Sequence, residues 1–170
     1  MAALDHTVNT QLSGQTMQVV SFALGTEEYG VDIAQVQEIN RMVTITHVPR
    51  APQFMEGVIN LRGQLIPIID LRTRFGMARA EHTKNTRIVV TEIASKRVGM
   101  VVDSVSEVLR IPVEAVEDAP DMVAGVDTEY IRGVGKVGER LIILLDLGRI
   151  ISRAEKRELQ GLEAAEPVAV

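Results

Sequence analysis

The sequence lacks several features that would indicate particular chemistries. It contains no cysteine, which excludes a disulfide framework, a thiol nucleophile and a thiolate metal site and suits a reducing compartment. Tryptophan is also absent, only 3% of the residues are aromatic, and the formal net charge is −5. Nucleic-acid binding depends on basic stripes and aromatic platforms, so we do not expect this protein to bind nucleic acid.

Long hydrophobic runs are missing as well. The longest apolar stretches, such as residues 141–145, are far shorter than a membrane span. Residues 1–16 lack the basic and apolar regions of a signal peptide. We therefore expect a cytoplasmic protein that does not insert into a membrane directly.

Three patterns that could carry chemistry have simpler interpretations. The three histidines lie far apart, with no carboxylate or second histidine at ligand spacing. Residues 133–138, GVGKVG, match a dinucleotide-binding fingerprint, but a strand rather than a helix is predicted to follow, which favours turns and bulges. Asp70 and Asp146 each follow an apolar strand and are interpreted as caps of short turns rather than as a catalytic pair. No cofactor, metal or catalytic residue is predicted.

The chain does contain one design that occurs twice. Residues 57–75 align without a gap on residues 133–151, and residues 19–39 align on residues 88–108. The identical pairs are Val20/Val89, Gly30/Gly99, Val36/Val105, Glu38/Glu107, Gly57/Gly133, Val58/Val134, Leu65/Leu141, Ile66/Ile142, Asp70/Asp146 and Leu71/Leu147. Such self-similarity indicates two related halves, and we expect function to lie where the halves differ.

Each half has the same predicted order of elements: two strands, a short helical segment, a proline-containing loop and a β-hairpin. A chain of 170 residues that is 46% hydrophobic can bury two small cores, so we predict two small β-barrels packed together. The predicted organisation is a disordered tail over residues 1–16, a first barrel over 17–83, a second barrel over 84–151, and a C-terminal helix and tail over 152–170.

A short apolar helix is predicted in the first half. Asp32 has the position of a helix N-cap, and Ile33, Val36 and Ile39 follow at helical spacing. An equivalent helical segment is predicted from Asp103 in the second half.

The halves differ in their charges. Glu38 has an identical counterpart in Glu107, but Arg62, at a predicted hairpin tip, aligns with Gly138. By this alignment the first half holds an acid and a base where the second holds an acid alone. An exposed ion pair contributes only roughly 0 to 1 kcal/mol, so stability does not explain the difference. We predict that Glu38 and Arg62 lie within ion-pair reach and shape a binding site.

Four segments closely resemble the CheW family of bacterial chemotaxis adaptors. They read YGVDIAQVQEI, ITHVPRAPQFMEGVINLRGQLIPIIDLRTRFG, VGMVVDSVSEVL and YIRGVGKVGERLIILLDL, within a resemblance that spans about residues 17–151. It implies a mainly β fold of two packed five-stranded SH3-like β-barrels, with short helices and a C-terminal helix. It also implies a non-catalytic cytoplasmic adaptor, recruited to membrane receptor arrays, that couples transmembrane methyl-accepting chemoreceptors to the regulatory domain of the histidine kinase CheA.

The resemblance further implies two binding surfaces. The kinase-facing surface would include Val20, Ile33 and Val36, for which the alternative is that all three belong to the barrel core. The receptor-facing groove would involve Glu38, Ile39, Gly57, Asn60 and Arg62.

One alternative comes from a different functional class. The chain could be a small-molecule-binding or enzymatic β-barrel that uses the seam between the two halves. That function requires a pocket with convergent polar and titratable groups, which the scattered histidines and missing cysteines do not predict.

Overall fold

The computed structural model describes residues 15–118, 122–123 and 126–158 and shows a mainly β protein. The strands are β1 (Thr16–Leu24), β2 (Glu27–Asp32), β3 (Val36–Arg41), β4 (Gly57–Leu61), β5 (Gln64–Asp70), β6 (Arg87–Ile93), β7 (Lys96–Val102), β8 (Ser104–Pro112), β9 (Val116–Glu117), β10 (Met122–Val123), β11 (Val126–Asp127), β12 (Ile131–Val137) and β13 (Arg140–Leu145). The helical elements are α1 (Leu71–Arg74), α2 (Leu147–Ile150), three 3-10 turns (Ile33–Gln35, Val113–Ala115 and Thr128–Tyr130) and a helix over residues 153–158.

Two sheets contain most of the strands. Sheet A has the order β8–β1–β2–β13–β12–β9, and sheet B has the order β3–β6–β7–β5–β4, while β10 and β11 pair separately. Hairpin β1–β2, from the first half, lies between β8 and β13 of the second half. Hairpin β6–β7, from the second half, lies between β3 and β5 of the first half. The two halves therefore exchange their first hairpins.

This exchange differs from the predicted division of the chain at residues 83 and 84. That division assumed that each half closes its own sheet, whereas each sheet takes strands from both halves. The exchange is made by two equivalent parallel pairings: Gly30 of β2 faces Leu144 of β13, and Gly99 of β7 faces Ile68 of β5. The repeat looks the same in sequence whether the hairpins stay or exchange, so the alignment could not reveal it.

Three hydrophobic clusters hold the sheets together. One cluster, which includes Ile59, Ile68 and Ile88, belongs to sheet B, and a smaller one around Ile111 and Ile142 belongs to sheet A. The largest cluster combines residues of both sheets and so forms the contact between them. Strands such as β1, with Val19 and Val20, and β5, with Ile68 and Ile69, thus contribute alternate side chains to two different clusters.

The predicted apolar helix is wrong beyond its first turn. Asp32 does act as a cap, since its Oδ1 accepts the Ala34 N–H at 2.9 Å. The helical part ends after three residues, however, and Val36 and Ile39 lie in β3, where they face Thr91 and Val89 of β6. Pairing with β6 satisfies the backbone of this segment, and β-branched side chains fit a strand well.

The helical segment predicted from Asp103 is also a strand, β8. Asp103 lies just before it and accepts two hydrogen bonds from the Arg72 guanidinium, at 2.8 and 2.7 Å, and one from the Gly25 N–H. The hydrogen bond from Arg72 lowers the pKa of the Asp103 carboxyl. This carboxylate ties α1 to the β1–β2 turn instead of starting a helix.

The predicted caps are present. Asp70 and Asp146 each accept the backbone N–H two residues later, at 2.9 and 3.0 Å, and so start α1 and α2. Ser152 and Glu155 form the expected capping box, with hydrogen bonds of 2.9 and 3.2 Å. The predicted disordered tail, except for its last two residues, and the chain after residue 158 lie outside the described residues.

The equivalent glycines of the exchanged hairpins differ in the space around them. A Cβ on Gly99 would lie 2.5 Å from Ile68 Cδ1 and 2.9 Å from Ile88 Cγ2, whereas a Cβ on Gly30 would meet its nearest atom at 3.1 Å. We expect Gly99→Ala to lower the free energy of unfolding by about 2–3 kcal/mol and Gly30→Ala by only about 1 kcal/mol. Urea denaturation measures both, and equal losses would contradict the packing described here.

Candidate docking site at the β4–β5 tip

The β4–β5 hairpin turns through Arg62 and Gly63. Both have positive φ, 52° and 85°, as a two-residue type I′ turn requires. The Asn60 side chain accepts the Gly63 N–H at 2.8 Å and fixes the turn. Gly138, the equivalent of Arg62, also has a positive φ of 62°. An L side chain pays roughly 1–2 kcal/mol in this conformation, so the arginine is present for its side chain and not for the turn.

Glu38 receives the Arg62 guanidinium. Arg62 Nη2 lies 2.5 Å from Glu38 Oε2, so the predicted ion pair is present. Arg97 Nη2 reaches the same oxygen at 3.0 Å, and Asn40 Nδ2 donates to the other oxygen at 2.8 Å. These contacts lower the pKa of the Glu38 carboxyl, with the hydrogen bond from Arg62 as the largest cause. Glu38 is therefore a fixed anion between two arginines.

Apolar side chains flank this charged network in the sequence. Ile39 follows Glu38 and Leu65 follows Gln64, and both are exposed. Successive residues of a strand point to opposite faces of the sheet, so Ile39 and Leu65 lie on the face of the sheet opposite to Glu38 and Gln64.

Gly57 begins β4, at the opposite end of the strand from the hairpin tip, and lies against the preceding loop. It is buried, and a Cβ there would overlap the carbonyl oxygen of Thr46 and lie 2.8 Å from Ile45 Cγ2. Any side chain at this position would push the preceding loop away from β4, because Thr46 and Val58 exchange two backbone hydrogen bonds there. Of the five predicted receptor-facing residues, Glu38, Asn60 and Arg62 thus form the hairpin-tip site.

The predicted kinase-facing residues are placed differently. Val20 is only 2% exposed and belongs to the cluster between the two sheets, so its assignment to a docking surface is wrong. It faces this interior because its strand neighbour Val19 serves the separate core of sheet A. Ile33 and Val36 are half-buried against the same large cluster and so have only part of their surface available to a partner.

The second half also holds a base beside its acid, contrary to the prediction. Arg140 bonds both Glu28 oxygens, at 2.9 and 2.6 Å, and reaches Glu107 at 3.2 Å. The hydrogen bond from Arg140 lowers the pKa of the Glu28 carboxyl. The two networks are therefore inverted in charge: the first has two arginines and one glutamate, and the second has one arginine and two glutamates.

Sequence analysis missed Arg97 altogether. In the alignment of residues 19–39 with 88–108, Arg97 stands opposite Glu28, and Gln64 stands opposite Arg140. The opposite charges of Glu28 and Arg97 at one aligned position could have indicated that the two halves differ there. This signal was overlooked because Arg97 belongs to the other half of the sequence, and only the hairpin exchange brings it to Glu38.

Comparison with known proteins gives the family. The model of the CheW-like domain matches residues 18–155. The chain belongs to the CheW family. A chemotaxis protein CheW from Klebsiella aerogenes is 40% identical over 148 residues, which are 86% of this chain and 89% of that protein. One from Treponema pallidum is 32% identical and covers 89% of this chain and 91% of its own length.

A solved structure shows the same fold. The scaffolding protein TtCheW from Thermoanaerobacter tengcongensis superposes with a TM-score of 0.76 at 38% identity, over 81% of this chain and 94% of that one. The predicted fold class, mainly β with two packed SH3-like barrels, is confirmed, although sheet A has six strands rather than five. This CheW family member is a chemotaxis scaffolding protein. None of its described helices is long and apolar enough to cross a membrane.

Proposed function

We propose that this chain is a non-catalytic cytoplasmic adaptor that couples transmembrane chemoreceptors to the histidine kinase CheA and is recruited to receptor arrays at the membrane. The observation that carries the proposal is the match of the CheW-like domain to residues 18–155. It is supported by relatives that are named chemotaxis protein CheW and that align with this chain over most of their length. These relatives favour an adaptor over a small-molecule-binding or enzymatic barrel.

We propose the hairpin tip as the receptor-binding site. Arg62 is 68% exposed and uses one nitrogen for Glu38, and a guanidinium has five N–H donors in a rigid fork. The remaining donors are available to a carboxylate or carbonyl of the receptor. Charge-assisted bonds to a rigid fork give orientation as well as affinity.

The kinase-facing surface is proposed to include the exposed parts of Ile33 and Val36. Ile33 lies in the 3-10 turn and Val36 begins β3. A β-bulge lies between Val36 and Glu38, which pair with the successive residues Thr91 and Val90, so their side chains lie on opposite faces of β3. The proposed kinase and receptor surfaces therefore use opposite faces of one strand.

Replacing Arg62 should remove receptor binding without harming the fold. Arg62→Gly is the sharpest variant, because glycine already occupies the equivalent position at Gly138. We expect its affinity for receptor-containing membranes to fall at least tenfold, while the free energy of unfolding stays the same or rises by about 1 kcal/mol as the positive φ becomes unstrained. Co-sedimentation and urea denaturation measure the two quantities.

Two further variants make this test specific. Arg140→Ala removes the corresponding network of the second half and should leave receptor affinity unchanged. Glu38→Ala combined with Arg62→Ala should lose less affinity than the sum of the single variants, because the pair acts as a unit. Unchanged affinity in Arg62→Gly would remove the site, and strict additivity would remove the pairing.

A further inference from the structure

Arg97 makes more contacts at the hairpin-tip site than Arg62 does. It lies at the start of β7, and its side chain is 32% exposed. Its Nε donates to Gln37 Oε1 at 2.7 Å, its Nη1 donates to Gln64 Oε1, and its Nη2 reaches Glu38 Oε2 at 3.0 Å. One side chain therefore holds three acceptors.

These acceptors lie on strands that are not neighbours. Gln37 and Glu38 belong to β3 and Gln64 begins β5, but β6 and β7 stand between those strands in sheet B. In the part of the chain that the structure describes, β3 does not pair directly with the β4–β5 hairpin. Arg97, on β7, joins them with its side chain and contacts the hairpin at Gln64, two residues from Arg62, which itself reaches Glu38.

The two arginines share one acceptor but differ in exposure. Both reach Glu38 Oε2, yet Arg62 is 68% exposed and the structure records Glu38 as its bonded partner. Arg97, by contrast, bonds through each of its three guanidinium nitrogens. A partly buried cation with three acceptors fixes its neighbours, whereas an exposed cation with one acceptor has donors left for a partner.

The repeat shows that this arrangement is particular to the first half. The residue equivalent to Arg97 is Glu28, and the residue equivalent to Gln64 is Arg140. In the second network the base is Arg140, beside the tip of hairpin β12–β13, and the acid that it bonds is Glu28 of the exchanged hairpin β1–β2. In the first network the exchanged hairpin β6–β7 supplies the base, Arg97. Arg62, at the β4–β5 tip, is therefore not needed to hold the exchanged hairpin.

We infer that Arg97 is a positioning residue of the hairpin-tip site: it fixes Glu38 and Gln64 so that Arg62 presents its unused donors to the partner in one orientation. The inference rests on the proposed function for the identity of the partner, but its first step concerns the free protein. The site is then built from both halves and exists only because the hairpins exchange.

The free protein tests the positioning step. In Arg97→Ala we expect the Arg62 Nε–H to become mobile on the nanosecond timescale in ¹⁵N relaxation measurements, and the pKa of Glu38 to rise toward its ordinary value in a ¹³C-detected titration. Arg140→Ala is the matched control, since it removes an equally bonded arginine from the other end, and it should change neither. An unchanged Arg62 signal in Arg97→Ala would overturn the inference.

Vesicles that carry a full-length chemoreceptor of the same genome test the consequence. Arg97→Ala should lower affinity about tenfold, the loss expected when a charge-assisted hydrogen bond no longer holds its acceptor. Arg97→Lys should rescue little of it, because an ammonium cannot span three acceptors. Arg62→Gly should cost less in the Arg97→Ala background than in the wild type.

The two readouts separate the possible failures. A mobile Arg62 with wild-type affinity in Arg97→Ala would overturn the role of Arg97 in this site, and so would full additivity of the two variants. If the wild-type chain does not bind the vesicles, the proposed function fails instead, and the relaxation measurement still decides whether Arg97 positions Arg62.

Discussion

Residues 1–83 and residues 84–170 are each expected to remain unfolded when they are produced as separate fragments. The first fragment would keep β3, β4 and β5 but lose β6 and β7, which lie between them in sheet B. The second would keep β8, β12 and β13 but lose β1 and β2, which connect them in sheet A. An isolated hairpin and two separated pieces of sheet do not bury enough apolar surface to be stable in water.

Mixing the two fragments should restore the fold as a 1:1 complex. Each fragment carries the hairpin that the other lacks, and the parallel registers at Gly30 and Gly99 are independent of the connection between residues 83 and 84. Circular dichroism with thermal melts, followed by size-exclusion chromatography of the mixture, measures this. The control is the intact chain with a protease site inserted between residues 83 and 84 and cleaved after folding, which should stay assembled.

The opposite result would support the organisation that the sequence alone suggested. Because the halves are repeats, hairpin β1–β2 could in principle take the place of β6–β7 within the first half. A cooperative thermal transition for residues 1–83 alone would show that it does. The hairpin exchange would then not be required for folding.

The elements of this fold were largely predictable, because their signals are local. Alternating apolar residues located the strands, and the caps at Asp70, Asp146 and Ser152 followed from short polar side chains before short helices. Pairing between distant strands has no such local signal. The apolar residues Ile33, Val36 and Ile39 have a helical spacing in the sequence. Val36 and Ile39 nevertheless lie in a strand, because their segment pairs with β6.

The candidate site was predictable only in part for a related reason. The pair of Glu38 and Arg62 emerged from comparing aligned positions within one repeat. Arg97 reaches Glu38 from the other half of the sequence. A comparison that treats the halves as separate barrels cannot predict this contact. Val20 was assigned to the kinase-facing surface through the family resemblance, and the sequence alone does not distinguish an apolar strand residue in the core from one on a docking surface.

The two charged networks carry net charges of opposite sign. Arg62 and Arg97 around Glu38 form a network with an excess of positive charge, whereas Glu28 and Glu107 around Arg140 form one with an excess of negative charge. The two networks would therefore favour partner groups of opposite charge, since like charges brought together at an interface oppose binding.

Kinase activation in a reconstituted ternary system is expected to depend on this chain. An adaptor that binds receptor and kinase at once raises the local concentration of each partner at the other. Neither partner alone with the chain can supply that effect. Arg62→Gly, which keeps the fold, should therefore reduce activation in proportion to its loss of receptor affinity.

The most direct measurement is the autophosphorylation rate of purified CheA with receptor membranes, in the presence and absence of this chain. The proposed adaptor function predicts a rate well above that of any two components combined, saturating as the chain is titrated and lost with Arg62→Gly. An equal rate of autophosphorylation with and without the chain would contradict it.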